Sequence, residues 1–163
     1  ASLNPRRTAI QLVQEPLKYM KIGNKRDWEQ KARRYLEQVG ITGDAQTRRP
    51  PQLSTGQCQR IAIARALAVE PDILICDEAV SALDMIVQVQ ILNLLEMLQK
   101  QYGFSILMIS HDIRVIRQFC QMVAVMKDGC FQELIPTGQL DRETNNEFIR
   151  LLLNNEIQMG KAV

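Results

Sequence analysis

The sequence predicts an α/β fold in which a helical region precedes a partial parallel sheet with covering helices. Two observations predict it. Apolar residues recur at helical spacing between residues 7 and 39, and from Ser54 onward predicted helices alternate with short apolar runs. Such alternation is typical of parallel strands covered by helices. We predict a helical region over residues 1–70, an α/β core over 71–140 and a helical tail over 141–163.

Two helices are predicted in the first region. One covers residues 7–20 and is weakened and interrupted by Pro16. The other starts after Asp27, which can cap it, and ends at Gly40. The apolar residues of this second helix share one face: Trp28, Ala32, Tyr35, Leu36 and Val39.

The second region is predicted as an alternating series. Strands are expected at residues 73–76, 104–109, 122–126 and 130–134, the last two joined by the turn Lys127-Asp128-Gly129. Helices are expected at residues 57–69, 86–102, 112–120 and 145–154. The resulting sheet would bring the carboxyl ends of its parallel strands to one edge, where ligands of such folds bind.

Composition limits the possible functions. With 20 basic and 18 acidic residues the net charge is +2, which gives no argument for nucleic-acid binding. The four cysteines contain no C-x-x-C pair and there is a single histidine, so no usual zinc set exists. Cys76 is expected to be a buried thiol, in a reducing compartment. Because the sequence starts with Ala rather than Met, we interpret it as part of a longer chain.

The stretch Ser54-Thr55-Gly56-Gln57 has the spacing of a capping box, in which Ser and Gln satisfy the first N–H groups of a helix. Taken alone it is most simply structural. A helix start with a hydroxyl and a glycine can also bind phosphate through exposed N–H groups and the positive end of the helix dipole.

Polar residues that follow two apolar strands are the other candidates. Asp77 and Glu78 follow the strand at residues 73–76, and carboxylates there can organise Mg²⁺ or polarise an attacking water. His111 follows the strand at residues 104–109 and would emerge at the same sheet edge. Each signal alone also fits an exposed polar loop.

Together, these segments resemble the nucleotide-binding subunits of ABC transporters. Leu53-Ser54-Thr55-Gly56-Gln57 resembles the signature sequence of that family, and residues 73–78 resemble its Walker B strand with the catalytic glutamate. Residues 81–84 resemble the D-loop, and residues 110–112 resemble the switch histidine segment. The resemblance implies the C-terminal part of an ABC-type nucleotide-binding domain, with a helical signature subdomain.

The resemblance implies roles for single residues. Glu78 and His111 would be catalytic, and Asp77 would hold Mg²⁺. The residues that contact ATP would be Ser54, Thr55, Gly56, Gln57 and Asp84. The implied partners are transmembrane permease subunits, a second and non-identical ATPase subunit and, indirectly, an extracytoplasmic solute-binding protein. The implied location is the cytoplasmic face of the cell membrane.

The segments "ASLNPR" and "RRPPQLS" resemble peptide and nickel importers, and "ARALAVEPDILICDEAVSALD" resembles the nickel and metallophore branch. Two departures from the family pattern matter. Thr55 stands where the family has Gly, which would permit positive φ. No phosphate loop G-x-x-x-x-G-K-[ST] occurs in the 163 residues, so we expect negligible ATP binding and hydrolysis by this chain alone.

Two other functions remain open at this point. One is a soluble ABC ATPase acting on ribosomes or in DNA repair, which would usually carry two cassettes or a long coiled-coil insertion. The other is a non-catalytic interaction domain, consistent with the absent phosphate loop. The leading hypothesis is an ATP-hydrolysing subunit of an importer for peptides, nickel or metal–metallophore complexes.

Overall fold

A computed structural model describes residues 3–140. The chain divides into two compact units, Ala1–Leu107 and Met108–Val163. The predicted boundary near residue 70 lies inside the first unit, and the division into three parts stays a prediction. The predicted helix at residues 145–154 and the tail at 141–163 lie outside the described residues.

The first unit opens with three packed helices: α1 (Ala9–Tyr19), α2 (Trp28–Gln38) and α3 (Thr55–Leu67). Short 3-10 segments at Gly43–Thr47 and Pro50–Gln52 connect α2 to α3. The three helices contact one another pairwise through fully buried apolar side chains, which include Leu12, Leu17, Leu36 and Ile61. This core supports the start of α3.

Helix α1 is continuous through Pro16, which corrects the predicted interruption. Thr8 forms a capping box with Gln11, and Leu12, Val13 and Leu17 are buried around the proline. A proline removes one backbone hydrogen bond of a helix, and tertiary packing stabilises the remaining turns.

Helix α2 buries four of the five residues of the predicted face, and the fifth, Trp28, is half-buried. Ala32, Tyr35, Leu36 and Val39 are buried, and Gly40 ends the helix with φ +77°. The predicted cap by the Asp27 side chain is wrong, because Asp27 already has helical dihedrals (φ −96°, ψ −9°) and its side chain makes no capping hydrogen bond. An N-cap side chain reaches back only from an extended backbone.

Glu70 links α3 to the first strand in a left-handed conformation, with φ +54°. Its carboxylate accepts a hydrogen bond from the Tyr35 hydroxyl (3.2 Å) and pairs with Lys31 Nζ (2.8 Å). Burial and the Glu70 carboxylate raise the pKa of Tyr35 to about 12. The linker is therefore held by two side chains of α2.

The chain continues with β1 (Ile73–Asp77), α4 (Met85–Tyr102) and β2 (Ser105–Ile109), and β1 and β2 are neighbours in a two-stranded sheet. The boundary between the two units falls inside β2, after Leu107. Leu74 and Cys76 are buried, as expected for Cys76, whereas Ile73 and Ile75 are 60% and 63% exposed. One apolar face of β1 is thus uncovered. None of the four cysteines, all within the described residues, forms a disulfide.

In the second unit, α5 (Ile113–Phe119) precedes the antiparallel strands β3 (Met122–Lys127) and β4 (Cys130–Pro136). The turn between the strands has Asp128 at φ +50° and Gly129 at φ +76°, as a two-residue hairpin with right-handed twist requires. Val125 and Leu140 form its small core. Among the described residues, no helix combines the length and the apolar character needed to span a membrane.

Candidate functional site

The start of α3 has the predicted capping box. Ser54 is extended (φ −70°, ψ 161°), its Oγ accepts a hydrogen bond from Gln57 N (3.2 Å), and Gln57 Oε1 accepts one from Ser54 N (3.0 Å). In the described part of the chain, the N–H groups of Thr55 and Gly56 have no protein acceptor. Two N–H groups at the positive end of a helix dipole are therefore available to an anion.

Thr55 is the first residue of α3 and does not have a positive φ. The non-glycine residues with positive φ in the described chain are Lys21, Glu70, Glu78 and Asp128. A β-branched residue is compatible with a helical backbone, so the threonine does not distort the helix start. Its exposed side chain instead adds bulk beside the two available N–H groups.

Gly56 is the point at which α3 meets α4. A Cβ atom at this position would lie 2.8 Å from Val87 Cγ1, closer than real Cβ contacts allow. The residue was predicted only as a phosphate contact. The structure adds a packing reason for glycine, and Val87 is a residue that the sequence reasoning missed.

Asp84 caps α4. Its backbone is extended (φ −63°, ψ 158°) and its Oδ1 accepts a hydrogen bond from Val87 N (3.0 Å). The preceding turn is closed by Ser81, whose Oγ donates to the Glu78 carbonyl (3.1 Å). Since Gly56 contacts Val87, the starts of α3 and α4 lie side by side in the first unit.

Asp77 and Glu78 occupy the carboxyl end of β1, and both are exposed. Glu78 has φ +48°, a left-handed conformation that costs an L-residue about 1–2 kcal/mol and turns the chain sharply out of the strand. Strained conformations of this kind are concentrated at functional sites, which makes Glu78 a candidate on geometric grounds as well.

The donor set around Asp77 suits Mg²⁺ rather than a metal held entirely by protein. Among the described residues, no group of three His, Cys, Asp or Glu side chains could hold a metal ion. Mg²⁺ characteristically keeps several waters and binds one or two carboxylates together with substrate phosphates. A single exposed carboxylate at a strand end fits this mode of binding.

His111 belongs to the second unit and is exposed. The residues beside it are fixed by hydrogen bonds. Asp112 N donates to Ser110 Oγ (3.1 Å), and Asp112 accepts from Arg114 Nε (3.0 Å) and Arg114 Nη2 (2.9 Å). The hydrogen bond from Arg114 holds the pKa of the Asp112 carboxyl below its usual value. Asp112 also caps α5, so the segment that carries His111 is anchored on its C-terminal side.

A capped helix start with available N–H groups, a glycine contact to a second capped helix and a strand that ends in two carboxylates define part of an ATP-binding cassette. Solved cassettes agree with this fold. The dimeric structure of the ATP-binding cassette MJ0796 bound to ADP and Pi matches this chain with a TM-score of 0.71 and 33% sequence identity. The match covers 83% of this chain and 59% of the MJ0796 chain. A second dimeric structure of MJ0796, a bacterial ABC transporter cassette, also has a TM-score of 0.71, at 32% identity over the same shares of the two chains.

Residues 2–81 of the chain match the family model of the ABC transporters. The nickel import ATP-binding protein NikE of Escherichia coli K12 is 42% identical over 139 residues, which are 85% of this chain and 52% of NikE. NikE of Shigella dysenteriae serotype 1 is 42% identical over 138 residues, with the same shares. The chain therefore spans about half the length of these relatives.

Proposed function

We propose that this chain carries the signature, Walker B, D-loop and switch segments of an ATPase subunit that powers an ABC importer for peptides, nickel or metal–metallophore complexes. The observation that carries the proposal is the start of α3, where the Thr55 and Gly56 N–H groups are available while Ser54 and Gln57 satisfy one another. The nickel-import relatives support nickel or a nickel complex as the cargo.

The proposed task of the α3 start is to bind the phosphates of an ATP molecule held by the phosphate loop of a second, non-identical ATPase subunit. Backbone N–H groups and the helix dipole favour an anion at this position. Ser54, Thr55, Gly56 and Gln57 form this surface. Asp84 is proposed to contact the same composite site, because its helix starts beside Gly56.

Asp77 and Glu78 are proposed to divide the chemistry between them. Asp77 would hold Mg²⁺, and the bound ion would neutralise charge on the phosphates. Glu78 accepts a proton from the attacking water, and an exposed carboxylate at a strand end can reach such a water. His111 is proposed to contact the γ-phosphate, stabilising the charge that develops on it.

Permease subunits are the proposed membrane partners, with an extracytoplasmic solute-binding protein acting through them at the opposite side. The chain would then be peripheral, at the cytoplasmic face of the membrane. Nucleic acid is not a proposed partner, because the net charge of +2 supplies no basic footprint.

The test is isolation of the complete gene product under mild detergent conditions. The proposal requires that it co-purify with permease subunits and a second ATPase subunit, and that this complex hydrolyse ATP. Co-purification with ribosomes or DNA-repair proteins instead would refute the importer assignment. Stable complex formation without nucleotide hydrolysis would identify an interaction domain without catalysis.

A further inference from the structure

Residues 18–26, here called the basic loop, span the end of α1 and the turn toward α2. The loop contains no acidic residue and four cations: Lys18, Lys21, Lys25 and Arg26. Within it, Tyr19 is 93% exposed and Met20 is 63% exposed. Exposed apolar side chains beside a cluster of one charge sign indicate an interaction surface.

The cations of the basic loop are exposed, and within residues 3–140 none of them forms an ion pair. The nearby carboxylates are engaged elsewhere, since Glu15 pairs with Arg7 (3.6 Å) and Glu29 with Arg33 (2.7 Å). Asp27 follows the loop directly, so the net charge over residues 18–27 is four minus one, or +3. A positive field therefore remains at this surface.

The backbone of the basic loop is held in one conformation. Ile22 N donates to Leu17 O (3.0 Å) and Lys21 N to Lys18 O (3.4 Å), which is the Schellman pattern of a helix end. On the other side, Trp28 Nε1 donates to Ile22 O (2.6 Å). The cations and the two apolar side chains are thus presented by an ordered turn.

Lys21 occupies the position of this pattern that usually holds glycine, and it has φ +53°. A left-handed conformation is unfavourable for an L-residue with a side chain. Glycine at this position would relieve the strain of the turn, so replacing Lys21 by glycine removes a charge without destabilising the backbone.

We propose that the basic loop binds the anionic headgroups of a lipid bilayer, with Tyr19 and Met20 at the boundary between headgroups and acyl chains. Clusters of Lys and Arg are attracted to anionic lipid surfaces, and tyrosine is enriched at the membrane interface. Tyr19 and Met20 are both largely exposed, so their side chains can reach this boundary. The inference goes beyond the proposed function and requires no ATP hydrolysis.

Vesicle flotation tests the proposal directly. The purified protein is mixed with vesicles of phosphatidylcholine alone or with about one third phosphatidylglycerol, at low and at physiological salt. We expect binding to the anionic vesicles that weakens as salt increases, because screening reduces the attraction. Equal binding to the two kinds of vesicle, or none to either, overturns the proposal.

Lys21→Gly is the decisive variant, since it removes one cation while it relieves the left-handed strain. We expect its affinity for anionic vesicles to decrease about fivefold, the effect of one cation near such a surface. Its melting temperature should be unchanged or higher, which separates lost binding from lost folding. Tyr19→Ser should also reduce binding, with a weaker dependence on salt than the loss caused by Lys21→Gly.

The double variant Lys21→Glu/Lys25→Glu, the loop variant, reverses two charges in the basic loop. Its matched control is Arg6→Glu/Arg48→Glu, which makes the same change in net charge at exposed residues outside the loop. Only the loop variant should lose vesicle binding. An equal loss in both variants would show a nonspecific charge effect and overturn the proposal. If Lys21→Gly instead removes co-purification with a protein partner and vesicles bind nothing, the surface recognises an acidic protein and the lipid assignment is wrong.

Discussion

Gly56 in α3 and Val87 in α4 lie so close together that a Cβ atom on Gly56 would stand 2.8 Å from Val87 Cγ1. The same contact places the signature-like helix start beside the helix capped by Asp84. Packing between two helices thereby positions the backbone N–H groups that we propose to bind phosphate.

The first prediction concerns this contact. Gly56→Ala should lower the free energy of unfolding by about 1 kcal/mol, because overpacking of about 1–3 kcal/mol outweighs the gain in helix propensity. Urea denaturation measures the change. In a double-mutant cycle, adding Val87→Ala should restore much of the loss, and purely additive effects would contradict the contact.

The second prediction concerns Glu78. In the assembled transporter, Glu78→Gln should retain nucleotide binding and largely abolish turnover, because an amide cannot accept the proton of the attacking water. Steady-state ATPase assays and nucleotide-binding assays measure the two quantities. His111→Ala should also suppress turnover, through lost contact with the γ-phosphate.

Glu78→Gly is the matched control for folding. Glycine accepts φ +48° readily, so this variant should be as stable as the parent or more so, and equally inactive. Turnover of Glu78→Gln at the parent rate would remove Glu78 from the mechanism.

The third prediction concerns Thr55. We expect Thr55→Gly in the complete heteromer to raise ATPase activity or ATP-driven closure, because the exposed side chain crowds the N–H groups of the helix start. One recovered contact to a charged group is worth roughly 1–3 kcal/mol, or about tenfold to a hundredfold in affinity. ATPase rates at limiting and saturating ATP test this expectation.

Thr55→Ser is the control in this experiment, because it keeps the hydroxyl and removes only the methyl group of the side chain. Because the Thr55 backbone is already helical, glycine brings no relief of backbone strain. Unchanged or reduced rates at both ATP concentrations would show that the Thr55 side chain does not weaken phosphate binding at the start of α3.

The fourth prediction is a pH dependence at Tyr35. Its pKa is raised from the ordinary value of 10.0 to about 12, first by burial and then by Glu70. The folded state therefore favours the neutral phenol. The contribution of the neutral phenol to the free energy of unfolding is fully present below about pH 10 and is lost as the pH rises to about 12. This contribution is at most about 2–3 kcal/mol.

Comparison with Tyr35→Phe isolates this group, since the two proteins have the same residues at every other position. At neutral pH the parent should be more stable, because Tyr35 donates a hydrogen bond to Glu70. The difference should shrink as the pH passes 10 in urea denaturation experiments. A constant difference up to pH 11 would argue against the raised pKa.

The fifth prediction concerns the 163-residue chain by itself. Without phosphate-loop amides and the accompanying lysine, its contacts to a triphosphate are few. Titration calorimetry should detect no MgATP binding at micromolar concentrations. Micromolar affinity in a pure sample would show that the α3 start binds nucleotide without a second subunit.

Local patterns predicted much of this structure. The Ser54 capping box and the hairpin turn at Asp128 and Gly129 each depend on neighbouring residues alone, and the apolar run around Cys76 was enough to predict its burial. The contact of Gly56 with Val87 joins residues 31 positions apart, 87 minus 56, and depends on how two helices approach. No short pattern could therefore predict it.

The two wrong predictions, the cap at Asp27 and the interruption at Pro16, used local patterns that the rest of the fold overrides. Asp27 has a suitable side chain for a cap, but the incoming chain already follows a helical path at that residue. Pro16 weakens α1 locally, and burial of Leu17 keeps the helix intact. The roles proposed for Asp77, Glu78 and His111 came from the family resemblance, and of the three only Glu78 also stands out by its backbone, with φ +48°.

The uncovered face of β1 has a consequence for the abundance of this chain in a cell. Ile73 and Ile75 stand in alternate positions and expose apolar surface that chaperones and proteases recognise. A copy that finds no other protein surface to cover these side chains should be degraded faster than an assembled one. Pulse-chase measurements of its half-life, with and without co-expressed partners, would then report on assembly without any assay of transport.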